Sequence, residues 1–539
     1  MTSGLFMVAP APLPAPFTPF FPVITTMRSS TLLLLVLASS STVLPYAVAA
    51  ETAPTAAQVA ETHAELALRS YTLARNQAAA LQTALGAFVA APSQDLLDAA
   101  KVAWRKAHNA YSPTEVFRFQ NGPIDCDGGP ETKINAWPLD EQWLDATIDS
   151  PKSGLINLLD VPLSEDVLVA YNEKDGEKNI ATGYHGIEFM LFGQDRDPKG
   201  PGNRPLSDFT TAPVAARRKQ YLVLAADLLV KHLDSLIAAW QPGQDNYRKA
   251  FLAGDQQAAL KAVFTGMVML AGDELSGERL AVAYETQEQE EEQSCFSDNT
   301  HDDTRLNAAG IAMVWSGRLD AGYPGETFAG PSLAAYVTAK DGVAGKALSD
   351  DIAASVAATT AIPAPFDQAI LGSDKDPGRK AVLAAIEALE QQADDTSAAA
   401  KTVGVALEFG ANANNAVVGF QEMAASTAAI AAAASDKPRA KALMDELNTR
   451  WLRVESALIS VNPILYKEIE SAMEGLKSAA VRAPKPDAAV AQAKAEALTQ
   501  SLLKGVSAIK AAQKEEEDKA KAAEAAAPAS ATGAAVPAK

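Results

Sequence analysis

The sequence predicts an all-α protein, and three observations carry that prediction. Hydrophobic residues make up 48% of the chain while aromatics reach only 6%, with alanine abundant throughout. Apolar residues recur at helical spacing over long stretches, and strand-like alternation is lacking. With 539 residues the chain can bury several cores, and about 150 residues per domain suggests two to four units. The balance of 46 Lys+Arg against 66 Asp+Glu leaves a net charge of −20. That charge repels nucleic acid and anionic membranes and favours cations as partners.

Residues 1–50 read as an export-signal region. Met27 and Arg28 precede an apolar run from Leu32 to Ala38, and Ala47, Val48 and Ala49 form a small-residue cleavage pattern. The true start is then Met27, with cleavage after Ala49 or Ala50. A retained anchor is the alternative, opposed by a run shorter than the roughly 20 residues of a bilayer span. No other segment reads as transmembrane, so the exported chain is expected to be soluble.

Residues 51–211 form a first helical half. Leu66, Leu68, Leu81, Leu85 and Phe88 mark one helix, and a second restarts after Pro92 with Ser93 as N-cap. Glycines and prolines between 120 and 165 break the chain into loops and short turns. "NIATGYHGIEFMLFGQD" (179–195) then begins another helix. Residues 212–420 form a second helical half, through "RRKQYLVLAADLLVKHLDSLIAAW" to "RKAVLAAIEALEQQ" with Val382, Leu383, Ile386 and Leu389 on one face. Residues 421–512 form a C-terminal helical module broken at Asn462-Pro463. Residues 513–539 have few apolar side chains and read as a disordered tail.

Candidate chemistry centres on His185 and Glu188. In a helix they lie at i and i+3 on one face, close enough to ligate one ion or to form a salt bridge or buried hydrogen bond. Glu115 ends Ser112-Pro-Thr-Glu115, which has the form of a capping box and leaves one carboxylate oxygen free for a metal. Asp140, Glu141 and Asp145 offer further carboxylates, or simply acids in a helix first turn. His301 stands among Asp298, Asn299, Asp302 and Asp303, where ligation competes with turn chemistry. His63, His108 and His232 sit in plain helical segments and read as structural or exposed. Both H-E-x-x-H and H-x-x-E-H are missing, since position 189 is Phe, and this local motif supplies no second histidine for a zinc peptidase. Cys126 and Cys295, an even pair in an exported chain, are disulfide candidates with two free thiols as the alternative.

Several stretches together resemble the imelysin family of exported bacterial proteins, in particular its iron-regulated protein A-like members. They are "YSPTEVFRFQNGPID", "GPETKINAWPLDE", "NEKDGEKNIATGYHGIEFMLFGQD", "GERLAVAYETQEQEEEQSCFSDNTHDD" and "LNAAGIAMVWSG". The family's G-x-H-x-x-E stands as Gly183, His185 and Glu188. The resemblance covers roughly residues 55–420. It implies two helical bundle-like halves with the motif near their junction, and a periplasmic setting, in a Gram-negative bacterium, linked to iron. It also implies His185 and Glu188 as metal ligands, with Glu115 and Asp140 as helpers by motif order. The ion would be iron first, with zinc or copper suited to the same donors. The partners implied are the metal and an inner- or outer-membrane iron transport component. A metallopeptidase and a non-catalytic scaffold of an uptake complex are the alternative functions.

Overall fold

The computed structural model describes residues 53–526 apart from 127, 198, 408–412, 452–453, 460 and 484. The export-signal reading at 1–50 lies outside the described residues. Among those described the protein is helical, with one isolated bridge, between Arg318 and Ala329, as its sole extended pairing. Among the described residues no helix is long and apolar enough to cross a membrane.

Helices start where the sequence offers side-chain acceptors to free backbone N–H groups. Thr55 and Gln58 form a reciprocal capping box that opens Ala56–Ala90, and Ser93 Oγ accepts from Leu96 N to open Gln94–Tyr111. These two helices pack on each other, and Ala56–Ala90 also packs on Ala215–Trp240. Buried Trp104, Trp240, Phe88 and Phe209 fill the space between them. Each such side chain contributes about 1.5–3 kcal/mol by leaving water.

A sequence division at 212 therefore cuts through one packed group. The Gly/Pro-rich stretch after 193 suggested a boundary, but it folds back on the core, with Arg204 N donating to Phe192 O and Gly202 N to Phe296 O. Farther along, Thr300–Ser316, Gly342–Thr360 and Pro377–Thr402 pack in succession, and one continuous apolar core runs from Val59 to Val405.

Between Gln256–Met269 and Val282–Thr286 the chain forms a π-helix, Leu270–Ala281. So wide a turn is rare beyond a single bulge and concentrates at functional places. It faces a second apolar core, built from Ala416 to Ile509 with Val282 joining it. Contact there is close: a Cβ on Gly277 would meet Ile459 Cγ2 at 2.5 Å. The last helix, Ala488–Ala526, continues well past Gln513, where the sequence reading began a disordered tail. Its run of Lys, Glu and Ala has too few apolar groups to pack, but each is a strong helix former.

Candidate functional site

The motif helix, Gly183–Phe192, is buried along its whole length. Asn172 Oδ1 holds its entrance by accepting from Ala181 N, Thr182 N and Thr182 Oγ1. Gly183 is required where it stands: its φ is +77°, and a Cβ would come within 2.5 Å of Ile134 O. Trp104 Nε1 donates to Tyr184 O at 2.9 Å and fixes the first turn against Gln94–Tyr111.

That anchoring brings His185 and Glu188 into the core, 1% and 0% exposed. His185 Nδ1 lies 2.8 Å from Glu188 Oε2, and Glu188 Oε1 accepts from Ser297 N at 2.9 Å. His185 Nε2 has no hydrogen-bond partner. Burial drives the His185 imidazole well below its ordinary pKa, helped by the neighbouring His108, and burial pushes Glu188 up to about 8. At neutral pH the pair is thus a neutral imidazole beside a largely protonated carboxyl. Whichever atom carries the shared proton, Nε2 stays unpaired, at a cost of about 1–3 kcal/mol for a buried polar atom.

His108 stands over this pair, its ring 5.2 Å from that of His185 and stacked on Trp104. Its Nδ1 is 2.9 Å from Asp303 Oδ1 and its Nε2 2.9 Å from Asn135 Oδ1. Burial opposes charge on His108, yet Asp303 raises its pKa, and the same contact lowers that of Asp303. Asp303 is held by Asn299 Nδ2 at 2.8 Å and Ser294 Oγ at 2.5 Å. The result is a buried centre with one neutral and one charge-paired histidine, between helices from both halves of the chain. The sequence alone places His108 in a plain helical segment, structural or exposed. The available signal was its i+4 spacing from Trp104 on a buried stripe.

The proposed helpers lie elsewhere. Glu115 is buried but saturated: Oε2 accepts from Arg118 Nη1 at 2.7 Å and Arg279 Nη2 at 2.8 Å, and Oε1 from Asn135 Nδ2 at 3.3 Å. Burial alone would raise its pKa, but the two guanidiniums hold it at about 2. Nor is there a capping box, because Ser112 Oγ donates back to His108 O and Ser112–Phe117 is a 3-10 turn without a side-chain cap. Asp140 is exposed and caps the short helix Glu141–Leu144 by accepting from Gln142 N. Its helix-terminus reading is the one realised. Asp145 is buried between Arg204 and Arg218 at 2.8 Å from each. His301 is partly exposed, 4.0 Å from Asp302, whose carboxylate is taken by Arg305 and Asn109. His63 is structural as read, packed on Phe117 and Trp240 and pushed down to about 4 by burial.

The cysteines are not bridged; both are free thiols. Cys126 sits in a turn closed by its own backbone bonds to Gly122 and Gly129, near Tyr247. Cys295 is buried beside Glu188, in the loop whose Phe296 packs at a tilt against Phe189 with ring centroids 5.0 Å apart.

Comparison with known proteins fits this architecture. A family model described as Imelysin matches residues 67–396. The iron-regulated protein A of Synechococcus elongatus is 29% identical over 339 residues, which is 61% of this chain and 81% of that protein. A crystal structure described as an iron-regulated protein A precursor, from Parabacteroides distasonis, superposes with a TM-score of 0.52 at 19% identity. It covers 66% of this chain and 97% of its own, and establishes the shared fold.

Proposed function

This chain belongs to the imelysin family, and from that premise we propose that it is an exported, iron-related metal-binding protein whose leading ligand is His185. The observation that carries the reading is the buried His185 Nε2, a ligand atom with no partner, in a core that already holds Glu188, His108 and Asp303. Imidazole with carboxylate suits iron, zinc or copper. Glu188 is the second donor, and Asp303 orients His108 beside it, as carboxylates orient histidines around metals.

As the side chains stand, no three His, Cys, Asp or Glu groups among the described residues close on a single point. Binding therefore requires the His185–Glu188 contact to open and Glu188 to lose its proton. Affinity should fall in acid, because protons compete for the same lone pairs. The iron-regulated relative supports iron over zinc. A peptidase reading is less favoured, since a general base must reach its substrate and neither motif side chain is accessible in this conformation. The test is metal analysis of protein purified without a histidine tag from iron-replete cells, then titration of the stripped protein. Stoichiometric metal and a saturable titration are expected. Their absence, or chelator-sensitive proteolysis without metal retention at His185, would defeat the proposal. Fractionation of cells for the mature chain tests export.

A further inference from the structure

A second polar hollow lies where the π-helix Leu270–Ala281 meets the C-terminal core. It encloses about 270 Å³ and is walled by eight glutamates against Arg118, Arg279 and Lys178. The positive charges are largely committed. Arg118 and Arg279 both bind Glu115 and Glu274, and Lys467 of the module pairs with Glu288 and with the wall residue Glu291. Glu278 and Glu455 make no side-chain hydrogen bond or ion pair with any described residue, and Glu470 has only Tyr466 Oη, at 3.0 Å. Gln293 lines the same cavity, is 3% exposed, and likewise has no side-chain hydrogen bond to a described residue. Its carboxamide is not sealed off but borders the cavity, where an occupant with polar groups of its own would pair it.

The walls contain carboxylates, amides and a phenol but no histidine or cysteine. They also stand too far apart, among the described residues, for three to grip a bare ion. The space exceeds that of one ion and equals several water molecules at about 30 Å³ each. We propose that this cavity binds a multivalent cation presenting its own hydrogen-bond donors, either a hydrated metal ion or a short oligoamine, held by Glu278, Glu455 and Glu470 with Gln293.

Part of its wall, Glu455, Tyr466 and Glu470, comes from the module beyond the stretch matched by the family model. Burial and the neighbouring carboxylates push Glu278 well above the ordinary range and Glu455 up to about 8, which is the state of acids crowded without a counter-cation. Asn135 is the partition between the two regions, lining this cavity while bonding His108 on its other side. The cavity site stands whether or not His185 holds a metal.

The experiment is calorimetric titration of the full chain with hexaamminecobalt(III), whose N–H donors are fixed and whose ligands do not exchange, and separately with spermidine. At least one probe is expected to saturate a single site. Binding should weaken by about tenfold or more in the E278Q/E455Q double variant and by a smaller factor in E470Q, and persist in His185→Ala. Preference for the cobalt complex identifies the hydrated-metal form, and preference for spermidine the oligoamine. Failure of both probes to saturate would overturn the proposal, as would unchanged affinity in the variants. If the double variant does not fold, E470Q alone decides.

Discussion

Two polar regions lie on either side of Asn135, and they solve opposite problems. The His185 centre is buried and paired: two histidines and two carboxylates share short contacts, Ser297 N, Ser294 Oγ and Asn299 Nδ2 complete the carboxylates, and His185 Nε2 is left without a partner. The glutamate cavity is roomy and unbalanced, with several carboxylates and too few free cations. Buried charge is tolerable only when it is paired or neutralised by protonation. The first region uses pairing, and the second holds protons until a cation arrives. A ligand should therefore enter the first by breaking a contact and the second by displacing protons.

Glu115 anchors the boundary between them, and its loss should have the largest effect. Glu115→Gln removes one of the two carboxylates that Arg118 and Arg279 share, leaving Glu274 alone between them. Thermal unfolding should show a loss of about 3–5 kcal/mol, the usual cost of breaking a buried ion pair from one side. Had Glu115 been a helper ligand, the variant would instead lose metal affinity while keeping its stability. Asn135→Ala should cost less, about 1–3 kcal/mol, by leaving His108 Nε2 without its acceptor.

The cavity can be separated from the centre by pH. Glu455 and Glu470 are raised from 4.5 to about 8 and about 7, mainly by burial. The folded protein thus holds these protons more tightly than the unfolded chain. Their stabilising contribution is complete below about pH 4.5 and is lost as pH rises through 7 to 8. His63, lowered from 6.5 to about 4, acts in the other direction, and its opposing contribution fades only about one pH unit above 6.5. Melting temperature should therefore decline from pH 6.5 to 8.5, and less steeply in E278Q/E455Q. An unchanged slope in that variant would show that the decline comes from other raised carboxyls, such as Glu188, Glu470 or Glu141, and not from Glu278 and Glu455. The smallest effect is expected from Asp140→Asn, which keeps a good N-cap on an exposed turn and should change stability by no more than about 0.5 kcal/mol and metal binding not at all.

The same comparison shows what the sequence makes legible. His185 and Glu188 could be read because their relation is local: a helix period places them on one face, and a glycine at 183 starts that helix. The fate of Glu115 could not, because Arg279 reaches it across 164 positions. The helper role was assigned by motif order, which says nothing of which cation arrives. His108 and Asp303 were visible singly but not as partners, since the loop carrying Asn299 and Ser294 must fold over the motif helix before they meet. Helical class followed from composition and period. The π-helix did not, since nothing in "LAGDELSGERLA" distinguishes it from an α-helix until Gly277 meets Ile459. The glutamate cavity was hidden for a similar reason, because its walls come from segments more than 300 positions apart.

The central claim is that the unpartnered nitrogen of His185 is a ligand atom rather than a packing defect. The most direct measurement is anaerobic calorimetric titration of ferrous iron into the wild-type protein and the His185→Ala variant, with thermal melts of both. The account predicts that the variant loses about tenfold or more in affinity, at least 1.4 kcal/mol, while melting close to wild type. Equal affinity in the two proteins, with a sharply lower melting temperature for His185→Ala, would show that His185 and Glu188 hold the core together and bind no metal.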